Sequence, residues 1–283
     1  RNVSEQWTAN PGELQAQARE RLAHSGQSAK IEDAKDYQSK AIAAAAPPPS
    51  EAPALEAAKL ALLADSLSSL PTAEASELAA TLESRVDSII ANAGFDPVSG
   101  GFFIGSNDPS WRLPLFQKSA SDQALMLYAL SKLQERNPKK EYADAIRLTV
   151  DFLKRSLLKS NGLSRQLLDS YAVGEPFETI EGSYYVFEKS DIEGLSADVL
   201  EPWGLDPAGN LSQDVDLLGL YTGQNIPYSK SADSLASALD DARATLQAAR
   251  AKKAPPASEE TGYTATNALF VRGLIAASQA SQE

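Results

Sequence analysis

Apolar residues recur along much of this chain at spacings of three and four, the period that gathers them on one face of a helix. Leu55, Leu62, Leu63, Leu67 and Leu70, with Lys59 among them, predict one such helix, and Ala75, Leu78, Ala79, Leu82, Val86, Ile89 and Ile90 predict the next. Only Pro71 and Thr72 mark the break between them, and Thr72 reads as a helix start, so the two form an αα-hairpin. A second pair follows. Ser119 to Glu135 is apolar around much of its circumference (Ala124, Leu125, Met126, Leu127, Tyr128, Leu130), which predicts deep burial, and Glu141 to Lys159 is amphipathic. Leu235, Leu239, Ala242, Leu246 and Ala249 predict a helix over Ala232–Lys252, and a last one spans Thr264 to Ser278.

The stretches between these helices have another character. Residues 94–115 set aromatics among Gly, Pro, Asn and Asp, which predicts a long structured loop or a small β-hairpin. Residues 162–187 read as a further loop with extended pieces, ending in the strand formers Ser183-Tyr184-Tyr185-Val186-Phe187; a short helix begins at Ser190. Upstream, Asn10 and Pro11 suit the start of a helix reaching His24, and residues 25–52 turn polar and then Ala/Pro-rich, as a linker does. The expected organisation is an N-terminal helix and linker over 1–52 and a helical-hairpin domain over 53–283. The fold class is mainly α, with hairpins stacked as an arc and small β-hairpins in the long loops at one end.

Charge and composition narrow the chemistry. A net charge of -12 repels phosphate backbones, so nucleic acid is not an expected partner. With no cysteine there is no disulfide and no thiolate site; with one histidine, His24, there is no multi-histidine metal centre and no paired-histidine acid/base chemistry. No metal or cofactor is expected. The longest uncharged run of small residues, Ala41 to Pro49, is too short for a transmembrane segment. A chain that begins at Arg1 fits organellar import and cleavage, in a plastid or mitochondrion, with a cytoplasmic location as the alternative. The glycines of GGFFIGSND lack the lysine of a phosphate-binding loop, and Arg250, Lys252 and Lys253 read as cations complementing a helix C-terminus.

The second half resembles the helical part of the YyaL-type, thioredoxin-domain-containing proteins, the family that includes animal spermatogenesis-associated relatives. Four patterns carry the resemblance. Gly100-Gly101-Phe102 with Pro109 and Pro114 is similar to the family's Gly-Gly-Phe stretch. Lys118, Asp122, Ala124 and Leu125 match part of Glu-Lys-Met-Leu-Tyr-Asp-x-Ala-Leu. Asp169-Ser170, then Glu181-Gly182 through Tyr184-Tyr185-Val186-Phe187 and Asp191-Ile192, resemble Asp-Ala-Asp-Ser and Glu-Gly-x-Tyr-Tyr-Val-Trp. Glu259-Glu260 through Thr264-Ala265-Thr266-Asn267 and Leu269 resemble Asp-Asp-Lys-Ile-Leu-Thr-Ala-Trp-Asn-Gly-Leu. The likeness covers roughly residues 95–281. It implies a six-hairpin (α/α)6 toroid of which this chain would form a partial arc, without the family's thioredoxin-like domain. The pattern is also worn: Gln117, Ser121, Phe187, Thr261, Thr266 and Ala268 stand where the family has other residues.

Two functional expectations follow. In the first, a degenerate toroid serves as a non-catalytic accessory or structural subunit, and the apolar helix faces at the ends of the arc are covered by a protein partner or multi-subunit complex. In the second, the loop end keeps a carbohydrate-active or small-ligand site. Asp122, Asp169 and Glu181, with Asp108 as a further candidate, would be its carboxylates, and Trp111, Tyr184 and Tyr185 its stacking platform. Glycoside chemistry needs two carboxylates flanking a sugar, roughly 5–10 Å apart.

Overall fold

The computed structural model describes residues 53–173 and 181–281, together with Gly12, Ala16 and Arg19. The expected N-terminal helix, apart from those three helical positions, and the linker before residue 53 lie outside the described residues, as does His24. The described residues from 53 to 281 belong to one compact unit.

The architecture is mainly α. Helices α1 (Ala57–Ser66) and α2 (Thr72–Ala91) make the first pair, and α3 (Ala120–Arg136) and α4 (Lys140–Phe152) the second, the latter ending in a π-helical turn, Leu153–Leu157. Two short helices follow, α5 (Lys189–Ile192) and α6 (Ala197–Leu200), then α7 (Asp240–Arg250) and α8 (Thr264–Ser281). The apolar stripe of α2 is buried at each position its spacing predicts, from Ala75 to Ile90. Helix α3, apolar nearly all round, lies against both α1 and α8, and Ala61, Tyr128 and Ala276 meet where the three come together. Close approach of α8 depends on Gly273: a Cβ there would stand 2.5 Å from the Ala124 carbonyl oxygen. Ser119 caps α3 through a bond from the Asp122 amide.

Strands are short. β1 (Gly105–Ser106) pairs antiparallel with β2 (Pro114–Leu115), so the 94–115 loop does contain a small hairpin. β3 (Lys118–Ser119), β4 (Leu167–Ala172) and β5 (Pro256–Glu259) form an antiparallel sheet in that order, with Lys118 opposite Leu168 and Leu168 opposite Ser258. The helix expected from Ala232 begins only at Asp240. Ser231 and Ser234 cap each other, the Ser234 hydroxyl donates to the Pro202 carbonyl at 2.7 Å, and two 3-10 turns, Ala232–Leu235 and Ser237–Leu239, replace the first helical turns. Serines that bond backbone locally compete with the helix in this way. The strand formers 183–187 also depart from expectation: they make a tight turn, and only Phe187 is bridged, to Asn225. Their rings pack inward instead. The helices share one large core with Phe95, Phe102 and Trp111, while the loop end has its own, built on Phe103, Phe116, Tyr185 and Tyr221. Phe187, Trp203 and Leu246 centre a third, under α7.

Candidate functional site

The strongest polar constellation sits beneath the loop end. Asp96, Lys118 and Arg250 are 2%, 0% and 1% exposed. Asp96 opens a turn in which its Oδ1 accepts the Val98 and Ser99 amides at 3.1 and 3.2 Å. Its Oδ2 receives both Lys118 Nζ and Arg250 Nη1 at 2.8 Å. Lys118 also donates to the Gly100 carbonyl at 2.8 Å. Arg250 reaches Ser99 Oγ at 2.8 Å and the Tyr185 carbonyl at 2.9 Å. Aromatic rings close the rest. Lys118 Nζ lies 4.6 Å from the Phe103 and Phe152 ring centres, and the Arg250 guanidinium lies 5.2 Å from that of Phe187. Lys253 continues the arrangement, donating to the Val186 carbonyl and pairing with Asp191 at 2.6 Å.

Burial by itself would raise the Asp96 pKa. Arg250 and then Lys118 reverse that and hold it far below the usual carboxylate range. Burial pulls Lys118 down to about 8 against the opposing pull of Asp96, with Arg250 and Arg155 adding to the depression. The charges are fully enclosed, so what this geometry does is tie four separate segments together: the 96–100 turn, β3, residues 185–187 and the end of α7. Arg250 stands in the last turn of α7, as expected of a helix-end cation, and is in addition a buried ion-pair partner.

The sequence-predicted residues fall in several places. Trp111 is buried in the helical core, its ring close against Gly94. Asp108 is consumed in its own turn, accepting the Ser110, Arg112 and Leu113 amides and the Ser106 and Ser110 hydroxyls. Asp122 is in the first turn of α3, and burial raises its pKa while the Ser119 hydroxyl opposes the rise. Asp169, on β4, accepts from Gln117 Nε2 at 3.3 Å and from the Ser170 amide at 2.7 Å. The Gly182 amide donates to the Ser170 carbonyl at 2.8 Å, which lays the 181–185 segment beside β4. That contact requires glycine: φ is +75° and a Cβ would stand 2.2 Å from the Phe116 ring. Tyr184 and Tyr185 meet edge to face at 5.1 Å. Tyr185 is buried, its hydroxyl has no hydrogen-bond partner, and burial followed by the Asp96 charge pushes its pKa above the ordinary tyrosine range. Asp169, Glu181, Tyr184 and Tyr185 therefore come together at the loop end. Trp111 and Asp108 belong to the scaffold around it, and Asp122 to α3.

Sequence reasoning passed over Asp96, Lys118 and Arg250 as a group. One signal was present in outline: Lys118 and Arg112 are the two cations in the aromatic stretch 94–118. Asp96 lies 22 residues from Lys118 and 154 from Arg250, beyond the reach of local pattern. Among the described residues no helix is long and apolar enough to cross a membrane, and no three His, Cys, Asp or Glu side chains group to hold a metal ion.

No family model matches the chain. Curated relatives do. Over 213 residues the chain is 25% identical to spermatogenesis-associated protein 20 of Homo sapiens, covering 65% of this chain and 27% of that protein. Over 231 residues it is 23% identical to uncharacterized protein B0495.5 of Caenorhabditis elegans, covering 72% of this chain and 31% of the relative. Spermatogenesis-associated protein 20 of Rattus norvegicus is 23% identical over 154 residues, 49% of this chain and 20% of its own length. The chain thus spans less than a third of each relative. With the four motifs and the mainly α fold, these matches make the chain a distant relative of spermatogenesis-associated protein 20.

Proposed function

We propose that this chain acts as a non-catalytic helical scaffold, an accessory or structural subunit that binds a larger protein assembly. The observation that carries this reading is the outer face of α8. Thr266, Phe270, Gly273 and Ala277 are buried, but Val271 and Ile275, one turn apart, are 57% and 54% exposed. Together with Ala268, Arg272 and Tyr128 they line a shallow groove of about 410 Å³. An apolar stripe with a cationic rim on an otherwise well-packed helix is how a protein-binding face is built. The enclosure of Asp96, Lys118 and Arg250 agrees with this, since the strongest charges serve the fold.

The test is to isolate the chain from its native source with whatever accompanies it, reconstitute the pair from purified components, and measure affinity for the wild type and for Val271→Ser/Ile275→Ser. Loss of the complex in the double variant supports the scaffold. A purified chain that is monomeric, binds no protein and binds an oligosaccharide overturns it.

A second reading, a carbohydrate or small-ligand site, is favoured by one observation: Asp169, Glu181 and Tyr184 are half-buried and adjacent at the loop end. Its test is oligosaccharide binding by the full chain, abolished in Asp169→Asn and unchanged in Val271→Ser/Ile275→Ser.

A further inference from the structure

The most exposed large apolar side chains among the described residues are neighbours: Leu217 and Leu218, each 81% exposed. They stand at the head of a turn that is firmly anchored. Asp216, immediately before them, is buried; its amide donates to the Ser212 carbonyl at 3.0 Å, and its two carboxylate oxygens accept the Leu220 and Tyr221 amides at 2.9 and 2.8 Å. The Gly219 amide donates back to the Asp216 carbonyl at 3.0 Å. Tyr221 is buried in the loop-end core, with its hydroxyl on the Glu181 carbonyl at 2.8 Å. Leu211 and Val215 of the same segment pack inward on that core. The segment thus has apolar residues for the interior, and it holds Leu217 and Leu218 out of it by a carboxylate-capped turn.

The surroundings state what would cover them. From Ser190 to Ser229 the sequence carries seven Asp or Glu and no Lys or Arg; Asp191 and Glu201 pair with Lys253 and Lys230 and Asp216 is buried, which leaves the segment net acidic with Asp214 exposed beside the leucines. A net acidic segment with two projecting leucines is complementary to an apolar cleft rimmed by basic side chains. A second copy presenting the same segment would bring the same acidic field and be repelled, and the Val271–Ile275 groove of a second copy is shallow and open where an inserted turn needs a cleft. We propose that the Leu217–Leu218 turn is a docking element that inserts into an apolar, basic-rimmed cleft on a different protein. This deepens the scaffold reading, on which it rests, and assigns partner chemistry to a surface separate from the Val271–Ile275 face.

The test uses the full chain with p-benzoylphenylalanine in place of Leu218, irradiated in extract of its native cells. The cross-linked protein is identified, purified and titrated against the unlabelled chain. The expected product is one protein other than this chain. Leu217→Ser/Leu218→Ser, whose fold is checked by thermal melting, binds it at least tenfold more weakly. Asp214→Lys binds it several-fold more weakly at low salt, with the difference shrinking as salt rises. Absence of a cross-linked protein, a cross-link to a second copy, or unchanged affinity of the double serine variant overturns the docking turn. If a partner survives Leu217→Ser/Leu218→Ser but is lost in Val271→Ser/Ile275→Ser, this inference fails and the scaffold stands. If no purified protein binds the chain by either surface, both fail.

Discussion

The helical row and the loop end are stabilised in different ways. In α1, α2, α3 and α8 the core is mostly aliphatic, and its burial requires only that each helix turn its apolar side inward. At the loop end three buried charges hold segments drawn from residues 96–100, 118, 185–187 and 250, with aromatic rings around them. Apolar burial accumulates gradually, side chain by side chain. A buried charge cluster is closer to all-or-none, because removing one member leaves the others desolvated and unpaired. The first kind of region tolerates truncation in steps; the second should fail as a unit.

Asp96→Ala is the sharpest way to break that comparison. It leaves Lys118 and Arg250 buried against each other without a counter-charge, so unfolding free energy should fall by about 4–5 kcal/mol in urea titration. Replacing all three, Asp96→Ala with Lys118→Met and Arg250→Leu, should recover most of that loss, because apolar groups of similar volume need no charge partner. If the triple variant is as unstable as the single one, the cluster is not a self-contained lock and the contrast between the two regions collapses.

On the helical side Leu82, buried at the centre of the α2 stripe, is the matching position. Leu82→Ala should cost about 3 kcal/mol, through lost burial and the cavity left behind, with the loop-end contacts intact. Near-ultraviolet circular dichroism separates the two outcomes: the aromatic signal of Phe103, Phe116, Tyr184 and Tyr185 should persist in Leu82→Ala and fade in Asp96→Ala.

The same contrast governs what the sequence could reveal. The α2 stripe is legible because its cause is local: spacing fixes the face, and the face fixes the burial. The lock is not, since Lys118 finds Asp96 across 22 residues and Arg250 finds it across 154. Arg250 reads only as a helix-end cation until α7 is docked. The failed start of α7 has a local cause that is easily outvoted by periodicity, namely the Ser231–Ser234 capping pair. Trp111 misled for a related reason. Among Gly, Pro and Asp it looks like a binding-loop aromatic, yet it serves as the plug between that loop and the helices. The aromatic and acidic neighbours Asp169, Glu181, Tyr184 and Tyr185 were legible only through motif order, and Gly182 is the physical reason they converge.

Proton linkage offers a smaller effect confined to the lock. Burial sets the Lys118 pKa at about 8 in the folded chain, below that of a solvated lysine. Between these two values the unfolded chain binds more protons than the folded one, so stability rises with pH through that window. The lysine's share of this rise is on the order of 1 kcal/mol by pH 9. Compared with Lys118→Met at each pH, the wild type should gain stability from pH 7 to 9; Leu82→Ala should track the wild type across the same range. A constant difference between wild type and Lys118→Met would place the lysine charge in contact with solvent rather than under the rings. On the acid side stability again rises with pH. Asp96 is depressed by its cations, so its contribution is present above the ordinary carboxylate range and declines as pH falls below it.

The smallest effect on folding should come from the residues that belong to neither region's interior. Val271 and Ile275 are exposed on α8, and serine is close to isoleucine and valine in helix propensity. Val271→Ser/Ile275→Ser should therefore change stability by no more than about 0.5 kcal/mol, measured by urea titration beside Leu82→Ala. That near-silence is informative only because the buried side of the same helix is so demanding. Gly273, two residues from each of them, sits against the α3 backbone, where even a methyl group would collide. If the double variant instead loses as much as Leu82→Ala, the outer face of α8 is part of the core of a larger folded unit and not a surface, and the scaffold's binding face must be sought elsewhere. If stability holds while complex formation is lost, the α8 stripe is apolar for the sake of a partner, and folding and binding draw on opposite faces of one helix.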